Sequence, residues 1–218
     1  MSGIKQLLPV LLPRRCVLCG GVVPRDLELC AACGRELRVQ KGRLFRTAGG
    51  TEILAPFVYT GRIRDAMYRF KNNRDLAAGR FFARAMAALY RERFPAGGWE
   101  PAAFVPSSAA QEARRGYNPA RLLAELFAGE TGVPVCGGLL NQESRFIHHQ
   151  LGARMRRLNA RTGMTAAEGA ALSGERVILI DDVCTTGSTL ESCRRVLLEI
   201  GASEVLLLTA AAQPWEEG

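Results

Sequence analysis

With 218 residues the chain is long enough to bury a real core, and 48% apolar with 23% charged residues excludes a disordered chain. The formal net charge of +8 favours an anionic partner, whether a phosphorylated metabolite, a nucleic acid or a membrane surface. The arginines are scattered too widely for charge alone to choose among these, and no segment approaches the length of a transmembrane span.

Residues 4–12 carry a short apolar run broken by Pro9 and closed by Pro13, with Arg14-Arg15 behind it. That charge is on the wrong side for a signal peptide and no small-residue cleavage site follows, so a cytoplasmic protein without membrane insertion is expected. Next come Cys16-x-x-Cys19 and Cys30-x-x-Cys33, separated by ten residues. Two such knuckles let four thiolates converge on one Zn2+, and Gly20, Gly21 and Gly34 give the turns their freedom. A pair of disulfides does not suit a cytoplasmic chain, and a redox CxxC needs a single motif in a βαβ setting. Four protein ligands close the site, so the zinc is expected to be structural, in a zinc-ribbon module over 1–45.

Residues 38–50 read as a polar linker. A strand is expected at 51–59, and then a basic amphipathic helix at 62–71 with Ile63, Met67 and Phe70 on one face. A second helix follows at 76–91 on a Phe81, Ala85, Leu89 stripe. A buried strand at 102–106 ends in Ser107-Ser108, a short strand is read at 133–135, and Asn118-Pro119 starts a helix through Leu123 and Phe127. Residues 137–174 hold little strong structure and include both histidines. Val177 to Ile180 form a fully buried strand, a helix carries Leu190, Cys193, Val196 and Leu197 on its apolar face, and a last strand spans 204–210. Strands alternating with helices give an α/β fold with a parallel sheet.

The stretch 177–190 carries the most information. Asp181 and Asp182 stand at the carboxyl end of the strand, and Val183, Cys184, Thr185, Thr186, Gly187, Ser188 and Thr189 lead into the helix. Ligands of open α/β sheets bind at strand carboxyl ends, and a helix N-terminus offers free N–H groups. Hydroxyls and amides suit a phosphate; paired carboxylates suit sugar hydroxyls or Mg2+. The Gly-Lys-Ser/Thr ending of a Walker A loop is missing. The segment resembles the phosphoribosyl pyrophosphate (PRPP) motif of type I phosphoribosyltransferases. That likeness implies a PRPP-binding segment over 181–189, Val183 and Cys184 included, with ribose hydroxyls on a catalytic pair Asp181 and Asp182 and the 5′-phosphate on 185–189. Cys184 itself is either reactive near a bound phosphate or a small filler of the loop.

With the cysteine knuckles, four further segments make the chain similar to the ComF family. They are Phe70-Lys71, Val105-Pro106-Ser107, Arg115-Gly116-Tyr117-Asn118 and Arg156-Arg157-Leu158-Asn159. Pro119 and His148 stand where the family usually has Gln. The resemblance implies a type I phosphoribosyltransferase-like domain over 51–213 and a closing loop within 137–174. It also makes Ser107-Ser108 the pyrophosphate-binding turn. Arg114 and Arg115 are the nearest cations for the leaving group, with a solvated loop pair as the other reading. Lys71 is a weaker candidate for the same charge, and by default a solvated helix-end lysine. His148 and His149 are either acid–base groups or loop residues without a role. The implied function is binding of PRPP with Mg2+, with phosphoribosyl transfer to an acceptor and a link to competence and DNA uptake. The alternative is a non-catalytic accessory that binds single-stranded DNA or a helicase partner.

Overall fold

Short apolar runs joined by periodic helices build a sheet with helices on both faces. The computed structural model describes residues 14–39, 44–142 and 163–214. The apolar run at 4–12, both histidines and the Arg156 to Asn159 segment lie outside the described residues. Helix α1 (Ala31–Val39) follows the second knuckle, then strands β1 (Leu44–Arg46), β2 (Glu52–Leu54) and β3 (Phe57–Val58). Helices α2 (Gly61–Asn73) and α3 (Leu76–Arg93) precede β4 (Ala102–Phe104) and helices α4 (Ala109–Arg115) and α5 (Pro119–Thr131). Strands β5 (Leu140–Gln142) and β6 (Met164–Ala166) form a separate antiparallel pair. The chain then runs through β7 (Arg176–Cys184), α6 (Ser188–Glu199) and β8 (Glu204–Ala212).

The main sheet has the order β1-β2-β8-β7-β4, with β3 also on β8. Every pairing in it is parallel except β1 with β2. Strand β7 shows why its sequence is a continuous apolar run. Ile178 and Ile180 enter one core with Phe70, Phe82 and Phe127 of α2, α3 and α5, while Val177 and Leu179 enter the other with Leu190, Cys193 and Leu197 of α6. After β4 the chain crosses on the first face through α5; after β7 it crosses on the second through α6. These neighbouring strands send the chain to opposite faces, and a crevice opens outside their carboxyl ends.

Several elements differ from the sequence expectation. The 51–59 strand is two strands, because Pro56 lacks an N–H to donate between them. The 38–50 linker contains β1, where Phe45 packs on the α6 side of the sheet. Residues 137–174 contribute β5 and β6, and the strand at 133–135 is a single bridge from Val135 to Ala102. Arg114 and Arg115 lie on helix α4, not a loop. Its signal was present as a capping box, with Ser108 accepting from the Gln111 N–H and Gln111 accepting from the Ser108 N–H.

Candidate functional site

The crevice between β4 and β7 holds a cavity of about 270 Å³ with polar walls. Asp181, Asp182 and Thr189 line it from the β7 side; Ser107 and Arg115 line it from the β4 side. Lys71, at the end of α2, also reaches it, with Nζ 2.9 Å from Asp182 Oδ1. Burial opposes the Lys71 charge, but the two aspartates hold its pKa above the ordinary lysine value. Asp181 Oδ1 accepts the Asp182 N–H at 2.8 Å. Burial first, and the Asp182 carboxylate second, push the Asp181 carboxyl up to about 8. One ammonium thus faces two crowded carboxylates, and hard oxygen donors short of positive charge suit a divalent cation.

The three family-like segments among the described residues form parts of one cradle. Gly116 ends α4 at φ 76°, which turns Tyr117 and Asn118 towards the body. The Tyr117 hydroxyl donates to the Phe70 carbonyl, one residue before Lys71. Asn118 caps α5 by accepting from the N–H groups of Ala120 (2.9 Å) and Arg121 (3.2 Å). Its amide donates to the Val105 carbonyl at 3.0 Å, just ahead of Ser107. Arg-Gly-Tyr-Asn therefore ties the end of α2 to the end of β4. Lys71, which the sequence suggests is solvated, becomes part of the crevice through that tie.

The residues expected at the leaving group separate into two classes. Ser107 and Arg115 line the crevice, and Arg115 Nε is buried without an acceptor. Ser108 is committed to its cap, and Arg114 is exposed outside the lining. Strand β7 also runs further than expected. Val183 and Cys184 pair with Ala211 and Ala212 of β8, so neither belongs to the loop. Cys184 is a core residue whose thiol burial pushes up to about 12.

The loop itself is Thr185, Thr186 and Gly187, with both threonines exposed. Gly187 has φ 79° and no side chain to cap α6, which leaves first-turn N–H groups for an incoming acceptor. The turn between β1 and β2 supports this loop, which sequence reasoning missed. Ala48 N–H donates to the Thr186 carbonyl at 3.0 Å, and Thr47 Oγ1 donates to Glu191 Oε1 at 2.5 Å.

The four knuckle cysteines meet as the spacing predicts, with their sulfurs all within 4.8 Å of one another. Cys19 and Cys30 sulfurs are 3.8 Å apart, too far for a disulfide, whereas four Zn–S bonds of about 2.3 Å place tetrahedral sulfurs roughly that distance apart. Backbone N–H groups point at them: Cys30 N lies 3.4 Å from Cys16 Sγ and Cys33 N 3.5 Å from Cys30 Sγ. Burial raises the Cys16 thiol, but N–H groups of Cys19, Cys30 and Leu18 outweigh it and bring the pKa down to about 6. A thiolate-stabilising cage of this shape fits structural zinc.

The module docks on α2 and α3 by charge as well as by its apolar residues Val17, Leu18 and Val23. Arg62 Nε lies 2.9 Å from Glu36 Oε2, and Arg84 pairs with Glu28. Among the described residues, no helix is long and apolar enough to cross a membrane.

Residues 7–45 match the double zinc ribbon domain, and residues 113–217 match the phosphoribosyl transferase domain. Competence protein ComFC of Bacillus subtilis is 27% identical over 186 residues, covering 85% of this chain and 72% of that protein. Competence protein F of Haemophilus influenzae is 31% identical over 103 residues, covering 46% of this chain and 45% of that protein. The chain thus matches less than half the length of the Haemophilus protein. Glutamine PRPP amidotransferase of B. subtilis, solved with ADP and GMP, superposes on 60% of this chain and 26% of its own, at 25% identity and a TM-score of 0.39. So partial an overlap carries no argument, and the fold assignment rests on the sheet order and the domain match. The chain thus joins a double zinc ribbon to a phosphoribosyl transferase domain and is similar, at modest identity, to the competence proteins ComFC and F.

Proposed function

We propose that the crevice binds PRPP with magnesium. Asp181 and Asp182 take the ribose hydroxyls, the 185–189 segment takes the 5′-phosphate, and Ser107 and Arg115 take the pyrophosphate. The observation that supports this most is the opposition of the acidic pair and an uncapped helix N-terminus on one wall to Ser107 and Arg115 on the other. Magnesium would neutralise charge on substrate oxygens. The chain's own part is to hold and orient: ionised Asp181 and Asp182 accept hydrogen bonds from the ribose hydroxyls, and the Arg115 fork faces the phosphate that departs. In transfer, the bond from the anomeric carbon to pyrophosphate breaks through an oxocarbenium-like state, and an acceptor closes the new bond. The link to competence is taken from the names of the relatives.

A non-catalytic accessory that binds single-stranded DNA is the second reading. Tyr68 is 64% exposed, one turn from exposed Arg64, as a stacking residue beside a phosphate contact would be. Arg62, Arg69 and Arg84 are occupied by the cysteine module, so fewer cations are left on α2 and α3 to follow a strand than the sequence suggests.

The test is calorimetric titration of the zinc-loaded protein with PRPP and magnesium, alongside Asp181→Asn/Asp182→Asn. Binding that disappears in the double variant supports the assignment. Equal affinity in both proteins removes the acidic pair from the site. No binding in the wild type, together with DNA affinity that falls steeply with salt, favours the accessory reading.

A further inference from the structure

Helix α2 touches both ends of the molecule's chemistry. Arg62 and Arg69 are seven residues apart, which puts them on one face of the helix. Arg62 grips the second knuckle, with Nη1 3.0 Å from Cys33 Sγ and Nε on Glu36. Arg69 grips the first knuckle by donating to the carbonyls of Val17 and Leu18, the two residues between Cys16 and Cys19; the Leu18 contact is 3.1 Å. The same guanidinium lies 3.5 Å from Asp75, the N-cap of α3, and the Arg69 carbonyl accepts the N–H of Arg74 that ends α2. Two residues after Arg69, and so on the opposite side of the helix, Lys71 pairs with Asp182. Phe70 between them supplies the carbonyl that Tyr117 holds.

From this geometry we infer that α2 is a strut through which the four-cysteine site sets the position of Lys71 and so the affinity of the crevice. The inference rests, for its ligand, on the reading of the crevice as a PRPP site. The carbonyls that Arg69 holds belong to the Cys16 to Cys19 turn, which the Gly20 N–H closes on the Cys16 carbonyl at 2.8 Å and which metal on its two thiolates would lock. When the turn opens, Arg69 loses two acceptors, and the α2–α3 corner loses the anchor that aims Lys71 at Asp182. Linkage then runs both ways: bound PRPP should tighten zinc binding by the factor that zinc improves PRPP binding. Arg62 and Arg69 are positioning residues in this scheme and touch no substrate.

The test uses the full chain loaded with zinc, as wild type and as Arg69→Met, with zinc content measured first. The strut requires that the variant keep its zinc yet bind PRPP with magnesium at least about fivefold more weakly, the low end of site-to-site couplings. Unchanged affinity overturns it. Hydrogen exchange without ligand gives an independent arm. Faster exchange at 70–75 and 185–190, with β7–β8 core amides unchanged, supports the strut, and unchanged exchange at those segments overturns it. Should Arg69→Met not fold, Arg62→Met replaces it, since it opens the other contact. In a third arm, equilibrium competition with a chelator finds zinc bound more tightly by the wild type when PRPP and magnesium are present, but not by Asp181→Asn/Asp182→Asn; an equal gain in both, or none in a wild type that binds PRPP, overturns the coupling. If PRPP binds neither protein, the ligand reading fails while the exchange arm still decides the strut.

Discussion

Thr47 packs so tightly on Gly187 that a β-carbon added to the glycine would lie 2.4 Å from Thr47 Cγ2. The positive φ of 79° at Gly187 adds a second reason for glycine there. Gly187→Ala is therefore expected to cost about 1–2 kcal/mol from the backbone and about 1–3 from overpacking. Thermal unfolding should show the loss, and PRPP titration should weaken because the loop is displaced. Adding Thr47→Ser removes the nearest methyl and should recover part of the stability but not the backbone cost.

Asn118 does two separable jobs, because its oxygen caps α5 and its nitrogen holds the Val105 carbonyl. Asn118→Ala loses both: about 1 kcal/mol for the cap and about 1–3 for a buried carbonyl left without a donor. Asn118→Asp keeps the cap but places a carboxylate oxygen against the carbonyl. Urea unfolding should find both variants weaker than the wild type. PRPP affinity should fall in both as well, since Val105 leads directly to Ser107. Preserved stability in Asn118→Ala would mean that the tie between α5 and β4 is not needed.

The adjacent arginines allow an internal control. Arg115 lines the crevice with a buried, unpaired Nε, while Arg114 is exposed on the same helix. Arg115→Met should weaken pyrophosphate binding by about tenfold or more, as expected for one lost charge-assisted contact of about 1.5–3 kcal/mol. Arg114→Met should change it little. Competition calorimetry with inorganic pyrophosphate reads both, and equal effects would point to bulk charge instead of a specific contact.

What the sequence made legible was local. The knuckle spacing, the acidic pair after an apolar run and the Asn118-Pro119 helix start each lie within a few residues of their partners. What it hid depended on tertiary contact. Thr47 meets Glu191 across 144 residues, and a three-residue strand such as β1 is too short to show a period. Lys71 looks like any lysine at a helix end until the fold brings Asp182 to it. The sequence alone puts Cys184 in the loop, because the end of β7 is set by its pairing with β8, which no property of 177–190 reveals.

The pH response of the ligand-free protein should report on Asp181. Burial and then the Asp182 carboxylate raise its folded-state pKa from the ordinary 3.8 to about 8. The folded protein therefore holds this proton more tightly than the unfolded chain does. The stability contributed is fully present below the unfolded pKa and is lost as pH rises through about 8. Asp181→Asn has no such proton to lose, so its unfolding midpoint should gain on the wild type as pH is raised from 5 to 9. Ligand binding has the opposite sign, because magnesium and ribose hydroxyls need the ionised carboxylate. PRPP affinity of the wild type should climb over the same range, with proton release visible as a dependence of the calorimetric heat on buffer ionisation. Affinity independent of pH, with no buffer effect, would show that Asp181 already carries its charge before the ligand arrives.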